Sequence, residues 1–489
     1  MTSVDSRQIC AGCGWVAPAD AEIRYRCPQA VGDDIDHVLQ RKLNPSSLGG
    51  VSAAKELFGG HEQNPFLKFR RLLHSYNTGR ANGMPDSSYE ALVTNLGEDL
   101  RRVDGREFRS TPLISEDRLA KAIGLTSRNS LWIKNETGNV AGSHKVRHLL
   151  GIMIWLKIKE ALSGDETSES ESEVQTLAIS SCGNAALAAA TVAAAAGRRL
   201  EVFIPDWAED SVVRRLKQLE ANLTVCSRSS ENSGDPCYEA FRQAVADGAT
   251  PFTCQGPDNG LNIEGGETLA WEMIADLVRE GCSLDHLVVQ VGGGALVSSC
   301  IQGFWEAKEL GVIDRMPQIH TVQTQGAAPL ERAYMKVLSR ILNQWRKISS
   351  TDCGLPATTA RLAGFVCEEV SAEVVNAALE YAAGHRSEFM WPWGQEPKSV
   401  ASGILDDETY DWHVAVRGML ETGGIPVVVS EATLLHANSL AQSHTRIPVD
   451  PTGSAGLAGL LQLRSDGVVK PSHSAAVLFT GIDRSIGAF

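Results

Sequence analysis

The order of apolar and polar positions divides the chain into short regular segments. Asn64–Tyr76, NPFLKFRRLLHSY, spaces its apolar residues among Arg and Lys with Pro in the first turn, which predicts a basic amphipathic helix. LWIK at 131–134 is strand-like, and HLLGIMIWLKI, just after Lys145, predicts an apolar helix. Strand signals then recur at TLAI (176–179), LEVFI (200–204) and NLTVC (222–226). Between them lie a long Ala-rich helical stretch and the polar helix VVRRLKQLEA. Glu264–Ala275 predicts a further helix, and HLVVQV (286–291) a buried strand that runs into Gly292-Gly293-Gly294. Regular alternation of strand, loop and helix predicts an α/β fold with parallel sheets covered by helices.

The flanking and intervening segments differ in character. Residues 1–50 form a small Cys-containing appendage ending in the loop-like NPSSLGG, and 51–110 a helical extension. REFRSTPL (106–113) reads as a loop leading into the main body. The stretch ALSGDETSESESEVQ has abundant Ser and Glu and no large apolar run, so an exposed, mobile acidic insertion is expected there.

Composition narrows the function classes. The chain has 489 residues, 43% of them apolar, and a formal charge of −14. That charge argues against a nucleic-acid binder, which needs a basic face. The start, MTSVDSRQICAGCGW, lacks the basic and apolar segments of a secretory signal. The Ala-rich run 185–197 is shorter than the ~20 apolar residues needed to cross a bilayer. A cytoplasmic protein without membrane contact is the resulting expectation.

Eleven cysteines are dispersed along the chain and do not form a small disulfide framework. Cys10-Ala11-Gly12-Cys13-Gly14 looks like half of a zinc knuckle. Tyr25-Arg26-Cys27-Pro28 could begin the other half, but Ala30 stands where its second Cys would fall. His37 or Asp33 could complete a four-ligand set, and a metal-free, degenerate knuckle explains the pattern equally. No metal ligand is assigned on this basis.

Three separated segments carry the candidate chemistry. In KNETGNVAGSHKVRH (134–148), Lys145 follows a Gly-Ser turn and opens an apolar helix, where partial desolvation would activate its amine. An ordinary surface lysine is the competing reading. In Ser180-Ser181-Cys182-Gly183-Asn184, a strand turns into a helix. Its backbone N–H groups and the Ser181 hydroxyl can take a substrate carboxylate, and Asn184 can reach a cofactor oxygen. A plain Ser/Asn helix cap is the simpler alternative. In Gly292-Gly293-Gly294-Ala295-Leu296, side-chain-free N–H groups can converge on a phosphate. This loop lacks the Lys-Ser/Thr ending of a nucleoside-triphosphate loop.

Taken in this order, the three segments resemble the fold type II family of pyridoxal-phosphate (PLP) enzymes. That family includes threonine synthase, the serine and threonine dehydratases and the tryptophan synthase β chain. The resemblance spans roughly Thr111 to the carboxyl terminus. It implies two open, twisted, mostly parallel sheets flanked by helices in a two-lobed body over 111–489, with the smaller lobe at about 145–260. It also implies a Schiff base at Lys145, substrate contacts at Ser181, Cys182 and Gly183, and cofactor contacts at Asn184 and Gly292–Leu296. A fourth match, Asp450-Pro451-Thr452-Gly453-Ser454-Ala455, places the group facing the pyridine nitrogen at Thr452. Lys398–Gly403 and Gln325-Gly326 are weaker matches to loops near the site, while Trp391, Trp393 and Trp412 read as packing residues.

The family reading implies a small amino-acid substrate and a homodimer. A neutral hydroxyl at Thr452 favours β-elimination from a hydroxy or otherwise β-substituted amino acid, yielding a keto acid and ammonia. Threonine-synthase-like replacement on an activated amino acid is the alternative, and the Cys-bearing appendage suits it. The lysine segment, Ser143-His144-Lys145-Val146-Arg147, departs from the Ser-Phe-Lys-Asp-Arg usual in threonine synthases. Its His144 is closer to the tryptophan synthase β chain.

Overall fold

The structure is a computed structural model that describes residues 6–18, 23–163, 175–227, 235–349, 355–394 and 396–485. Most of the acidic insertion expected after the Lys145 helix, residues 164–174, lies outside the described residues.

Twelve strands are described: β1 (Ser6–Cys10), β2 (Leu39–Leu43), β3 (Leu113–Ser115), β4 (Leu131–Asn135), β5 (Leu177–Ser180) and β6 (Leu200–Pro205) come first. They are followed by β7 (Asn222–Cys226), β8 (Thr250–Pro251), β9 (His286–Gln290), β10 (Gln318–Thr324), β11 (Pro426–Val429) and β12 (Ala475–Phe479). β1 and β2 pair antiparallel as a separate two-stranded sheet. A four-stranded sheet runs β7-β6-β5-β8, parallel throughout. A six-stranded sheet runs β11-β10-β9-β12-β4-β3, and only the edge strand β3 is antiparallel. The architecture is therefore mixed α/β, with mostly parallel sheets flanked by helices. β9 lies inside the larger sheet and is buried along its whole length. β7 is an edge strand and leaves Val225 exposed.

The Lys145–Ser163 and Asn262–Arg279 helices cross at their glycines. A Cβ on Gly151 would lie 2.9 Å from the Gly265 Cα, and one on Gly265 would meet the Arg147 carbonyl. This backbone-to-backbone approach excludes any side chain at the crossing, and it holds the start of the Lys145 helix against the protein's main core.

The continuous helix expected over 64–76 is broken into pieces. Pro65–Lys68 is helical, Arg70–Leu72 is a 3₁₀ turn, and a new helix begins at His74 after an extended Leu73. Phe66, Phe69, Leu72 and Leu73 are all fully buried, while Lys68, Arg70 and Arg71 stay partly exposed. Side chains also take its carbonyls: Arg41 donates to Leu72 O (2.7 Å) and Asn77 to Arg71 O (2.9 Å). Tertiary hydrogen bonds replace the helical ones.

Candidate active site

Lys145 stands at the first position of its 19-residue helix, preceded by a segment with unusual backbone. Ala141 and Gly142 have φ of 55° and 67°, and a Cβ on Gly142 would lie 2.6 Å from the Ile482 side chain. The chain is tied there to the segment after β12: His144 N donates to Thr480 O (3.0 Å) and Ile482 N to Gly142 O (2.9 Å). The lysine is thus set by pairing between two distant parts of the sequence.

Behind it lies a buried ion network. Arg147 donates to both oxygens of Glu136 (2.9 and 2.9 Å) and to both of Glu272 (2.7 and 2.9 Å). Lys134 adds a bond to Glu272 (2.6 Å) and another to Thr111 O (2.7 Å). Two cations and two carboxylates balance, and the Arg147 charge holds the Glu136 carboxyl down at about 2 against the opposing effect of burial.

The other sequence-derived positions fall at the ends of strands and starts of helices. Ser181–Gly183 is the turn from β5 into the Asn184–Ala195 helix, and Gly292–Gly294 the turn from β9 into the Ala295–Glu309 helix. Thr452 lies in the turn before the Ala455–Ser465 helix. Gln290, at the end of β9, links three of these segments. Its Nε2 lies 2.8 Å from Gly453 O, 2.9 Å from Thr480 Oγ1 and 3.1 Å from Leu478 O. Sequence reasoning absorbed Gln290 into an apolar strand. The signal was a lone amide at the buried end of that strand, directly before three glycines.

Asn184 and Thr452 present free hydrogen-bonding capacity. The Asn184 Oδ1 is buried without a partner, and its Nδ2 would be 2.9 Å from a Cβ on Gly481. Thr452 Oγ1 accepts from Gly403 N (3.0 Å), which leaves the hydroxyl proton to donate elsewhere. The weaker loop matches meet near this point, because Gly326 packs against the Lys398 backbone in the loop that ends at Gly403. Of the tryptophans, Trp412 is fully buried and Trp391 lies under the Arg332 guanidinium, 3.7 Å from ring to cation.

Three carboxylates that the sequence did not reveal line the same region. A Cβ on Gly292 would be 2.2 Å from Asp406 Oδ2, and the Asp406 carboxylate accepts from the Gly293 backbone. Asp411 lies against Gly294 and Gly256, both its oxygens buried and without a hydrogen-bond partner of good geometry. Asp450 accepts from Gly453 N and approaches Gly481. Burial raises all three, Asp406 to about 6, Asp450 to about 7 and Asp411 to about 8, and the Lys145 charge opposes the rise at Asp406 and Asp411.

Neighbouring groups are held neutral. Burial, then the Lys145 charge, pushes His144 well below its usual range and His148 to about 3. Burial pushes the Cys182 thiol up to about 11, with Asp406 adding to the rise, so Cys182 is a poor nucleophile and serves as a small packing residue. Cys254, also affected by Lys145 and fully buried, is raised in the same way.

These features fit a phosphate-bearing cofactor. The glycine turn has no side chain of its own and opens a 15-residue helix, and it already holds one anion, the Asp406 carboxylate. Asn184 Oδ1 and the Thr452 hydroxyl supply the unmatched polar atoms that a hydroxylated pyridine ring requires.

Comparison with known proteins agrees. The chain is 24% identical to threonine synthase of Mycobacterium tuberculosis (strain ATCC 25618 / H37Rv) over 371 residues, 76% of this chain and 80% of that protein. It is 30% identical to threonine synthase of Synechocystis sp. over 269 residues, 55% of this chain and 60% of that one. Its fold is similar to that of diaminopropionate ammonia lyase from Escherichia coli, with a TM-score of 0.54 at 16% identity, covering 81% of this chain and 90% of that one. Maize serine racemase gives 0.52 at 17%, covering 81% and 94%. The family described as pyridoxal-phosphate dependent enzyme matches residues 106–388, more than half of the chain, and the protein belongs to that family, with fold type II architecture.

Proposed function

We propose that the protein catalyses β-elimination from a small hydroxy or otherwise β-substituted amino acid, releasing a keto acid and ammonia. The observation that carries this reading is the pair of buried carboxyls, Asp406 and Asp411, sharing an electrostatic environment with Lys145. Elimination needs a base at Cα and an acid for the departing group. Lys145 supplies the first, and Asp411, protonated at neutral pH, supplies the second.

The other residues bind and orient. The Gly292–Leu296 turn would hold the cofactor phosphate, Asn184 the ring hydroxyl and Thr452 the ring nitrogen, with Lys145 as the point of covalent attachment. When bound, PLP withdraws electrons from the amino-acid Cα, and the chain governs where protons go. The Ser181–Gly183 turn takes the substrate carboxylate at the amino terminus of its helix. Lys145 removes the α-proton, and the β-substituent leaves with the proton from Asp411. Water then converts the enamine to keto acid and ammonia. Neutral His144 and His148 add no cation that would draw the substrate carboxylate away from the Ser181–Gly183 turn.

A replacement reaction is the second reading, favoured by the relatives named threonine synthase. The deciding experiment incubates PLP-loaded protein with hydroxy, amino, phosphorylated and acylated amino acids, with and without thiol and amine nucleophiles. Keto acid plus ammonia, identified by mass spectrometry, supports elimination. A new amino acid formed from a phosphorylated substrate or a nucleophile would replace this reading with the second.

A further inference from the structure

Cys10, Cys13, Cys27 and His37 come together although they are spread over 28 positions of the amino-terminal appendage, and their ligand atoms all lie within 4.8 Å of one another. Two of the spacings match tetrahedral edges. With Zn–S of about 2.3 Å and Zn–N of about 2.0–2.1 Å, tetrahedral edges are about 3.8 Å between sulfurs and about 3.5 Å from sulfur to nitrogen. The Cys13 and Cys27 sulfurs are 3.7 Å apart, and Cys10 Sγ is 3.5 Å from His37 Nδ1.

The surroundings are those of a metal centre. His37 Nε2 lies 3.0 Å from Asp33 Oδ1, so the ring donates from Nε2 and leaves the Nδ1 lone pair facing the sulfurs. The N–H groups of Gly12 and Cys13 point at Cys10 Sγ and that of Gln29 at Cys27 Sγ, as thiolates require. A surface depression of about 480 Å³ lined by Cys13, Asp33 and His37 gives an ion access.

The described residues between β1 and β2 form no helix or strand. Ile23 and Tyr25 pack on the main core, but the cluster around the ligands is small: Cys10, Cys27 and Leu39, with Cys13 and Trp15 packed on it. A metal crosslink would add to the few apolar contacts that this cluster supplies.

We propose that Cys10 Sγ, Cys13 Sγ, Cys27 Sγ and His37 Nδ1 bind one Zn²⁺ as a closed structural site, and that this ion fastens residues 33–38 onto the wall of the active site. Three thiolates and an imidazole select zinc over the harder divalent cations. Beyond the ligands, Asp34 accepts from Ser387 N (2.9 Å) and Oγ (2.8 Å), and Asp36 pairs with Arg386 at 3.3 Å. A Cβ on Gly256 would meet both the Val38 side chain (3.0 Å) and the Asp411 carboxylate (2.1 Å), so the two lie together against Gly256. The metal would therefore set the segment that packs beside Asp411.

The test is the metal content of full-length protein from zinc-supplemented medium, with Co²⁺ exchanged in as a spectroscopic probe. One zinc per chain is expected, and the Co²⁺ form should show intense visible bands and thiolate-to-metal charge transfer. Cys13→Ser and His37→Ala should lower metal retention about tenfold or more, whereas Cys367→Ser, at an exposed cysteine elsewhere, should not. His37→Cys keeps four ligands and should retain zinc, which covers failure of the alanine variant to fold. Chelation should speed hydrogen exchange over residues 33–38. Absence of zinc, a Cys13–Cys27 disulfide, or zinc indifferent to both ligand variants would overturn the site. Unchanged exchange after metal removal would overturn the fastening.

Discussion

Arg147, two residues beyond Lys145, donates from Nε and Nη2 to the two oxygens of Glu136, both at 2.9 Å and fully buried. The fork fixes the first turn of the helix that carries the lysine, while Glu272, Thr268 and Thr111 take further guanidinium bonds. Planar bidentate pairing of this kind is beyond a lysine side chain. Removing Arg147 would leave two carboxylates buried without their main cation. Arg147→Ala should therefore cost about 3–5 kcal/mol, read as a lower urea midpoint. Glu136 has a depressed carboxyl, so its share of stability is present above pH about 4.5 and lost as pH falls toward about 2. A midpoint unmoved by Arg147→Ala would show that the network contributes nothing to holding the helix start.

Lys145→Ala should leave this network in place and remove the chemistry. Turnover should fall by at least about a thousandfold, since covalent attachment and the proposed base are lost together. Borohydride reduction of the PLP-loaded protein should label the wild-type peptide at Lys145 and leave the variant unlabelled. Label elsewhere in the wild type would remove Lys145 from the mechanism.

Thr452 is proposed to face the ring nitrogen in addition to the bond that it makes to its neighbouring loop. Its oxygen accepts from Gly403 N, which holds the neighbouring loop, and its proton is free for a ring nitrogen. Thr452→Ala should weaken cofactor binding about tenfold, the equivalent of one hydrogen bond of about 1.4 kcal/mol, and alter the absorbance of bound PLP. Thr452→Ser keeps the hydroxyl and should restore both. An unchanged spectrum in the alanine variant would argue against ring contact.

Much of this site was legible because its parts are local. Gly292–Gly294 follows the short apolar run of β9, and Lys145 opens a helix that is buried over most of its length, so short windows of sequence display them. The 64–76 segment misled because helical spacing of apolar residues does not show that side chains elsewhere take the helical carbonyls. Asp406 and Asp411 carry no local signature, since their importance comes from what the fold sets against them, and the local mark of Gln290 is only a lone amide before three glycines. For the cysteines, sequence left His37 and Asp33 as alternatives. The structure uses both, with His37 facing the sulfurs and Asp33 bonded to its far nitrogen.

Asp411 offers a test in which stability and activity must move together with pH. Its carboxyl, raised by burial and by the nearby Asp36, loses its proton near about 8 in the folded protein, against 3.8 as its ordinary value. Between those pH values the folded state binds a proton that the unfolded state has released. The contribution of Asp411 to stability therefore falls as pH rises from about 4 to about 8, then levels off. Asp36 and Asp406, raised to about 6, and Asp450, raised to about 7, titrate in the same window, so its upper end is assigned to Asp411 by comparing wild type with Asp411→Asn. Asp411→Asn cannot ionise and should flatten that part of the melting-temperature profile. The same substitution should lower turnover about a hundredfold or more if Asp411 protonates the leaving group, and wild-type turnover should decline above pH about 8. A flattened stability profile with full activity would keep Asp411 as a buried neutral acid and end its role as proton donor. Loss of activity with an unchanged profile would instead place the high-pH titration on another group.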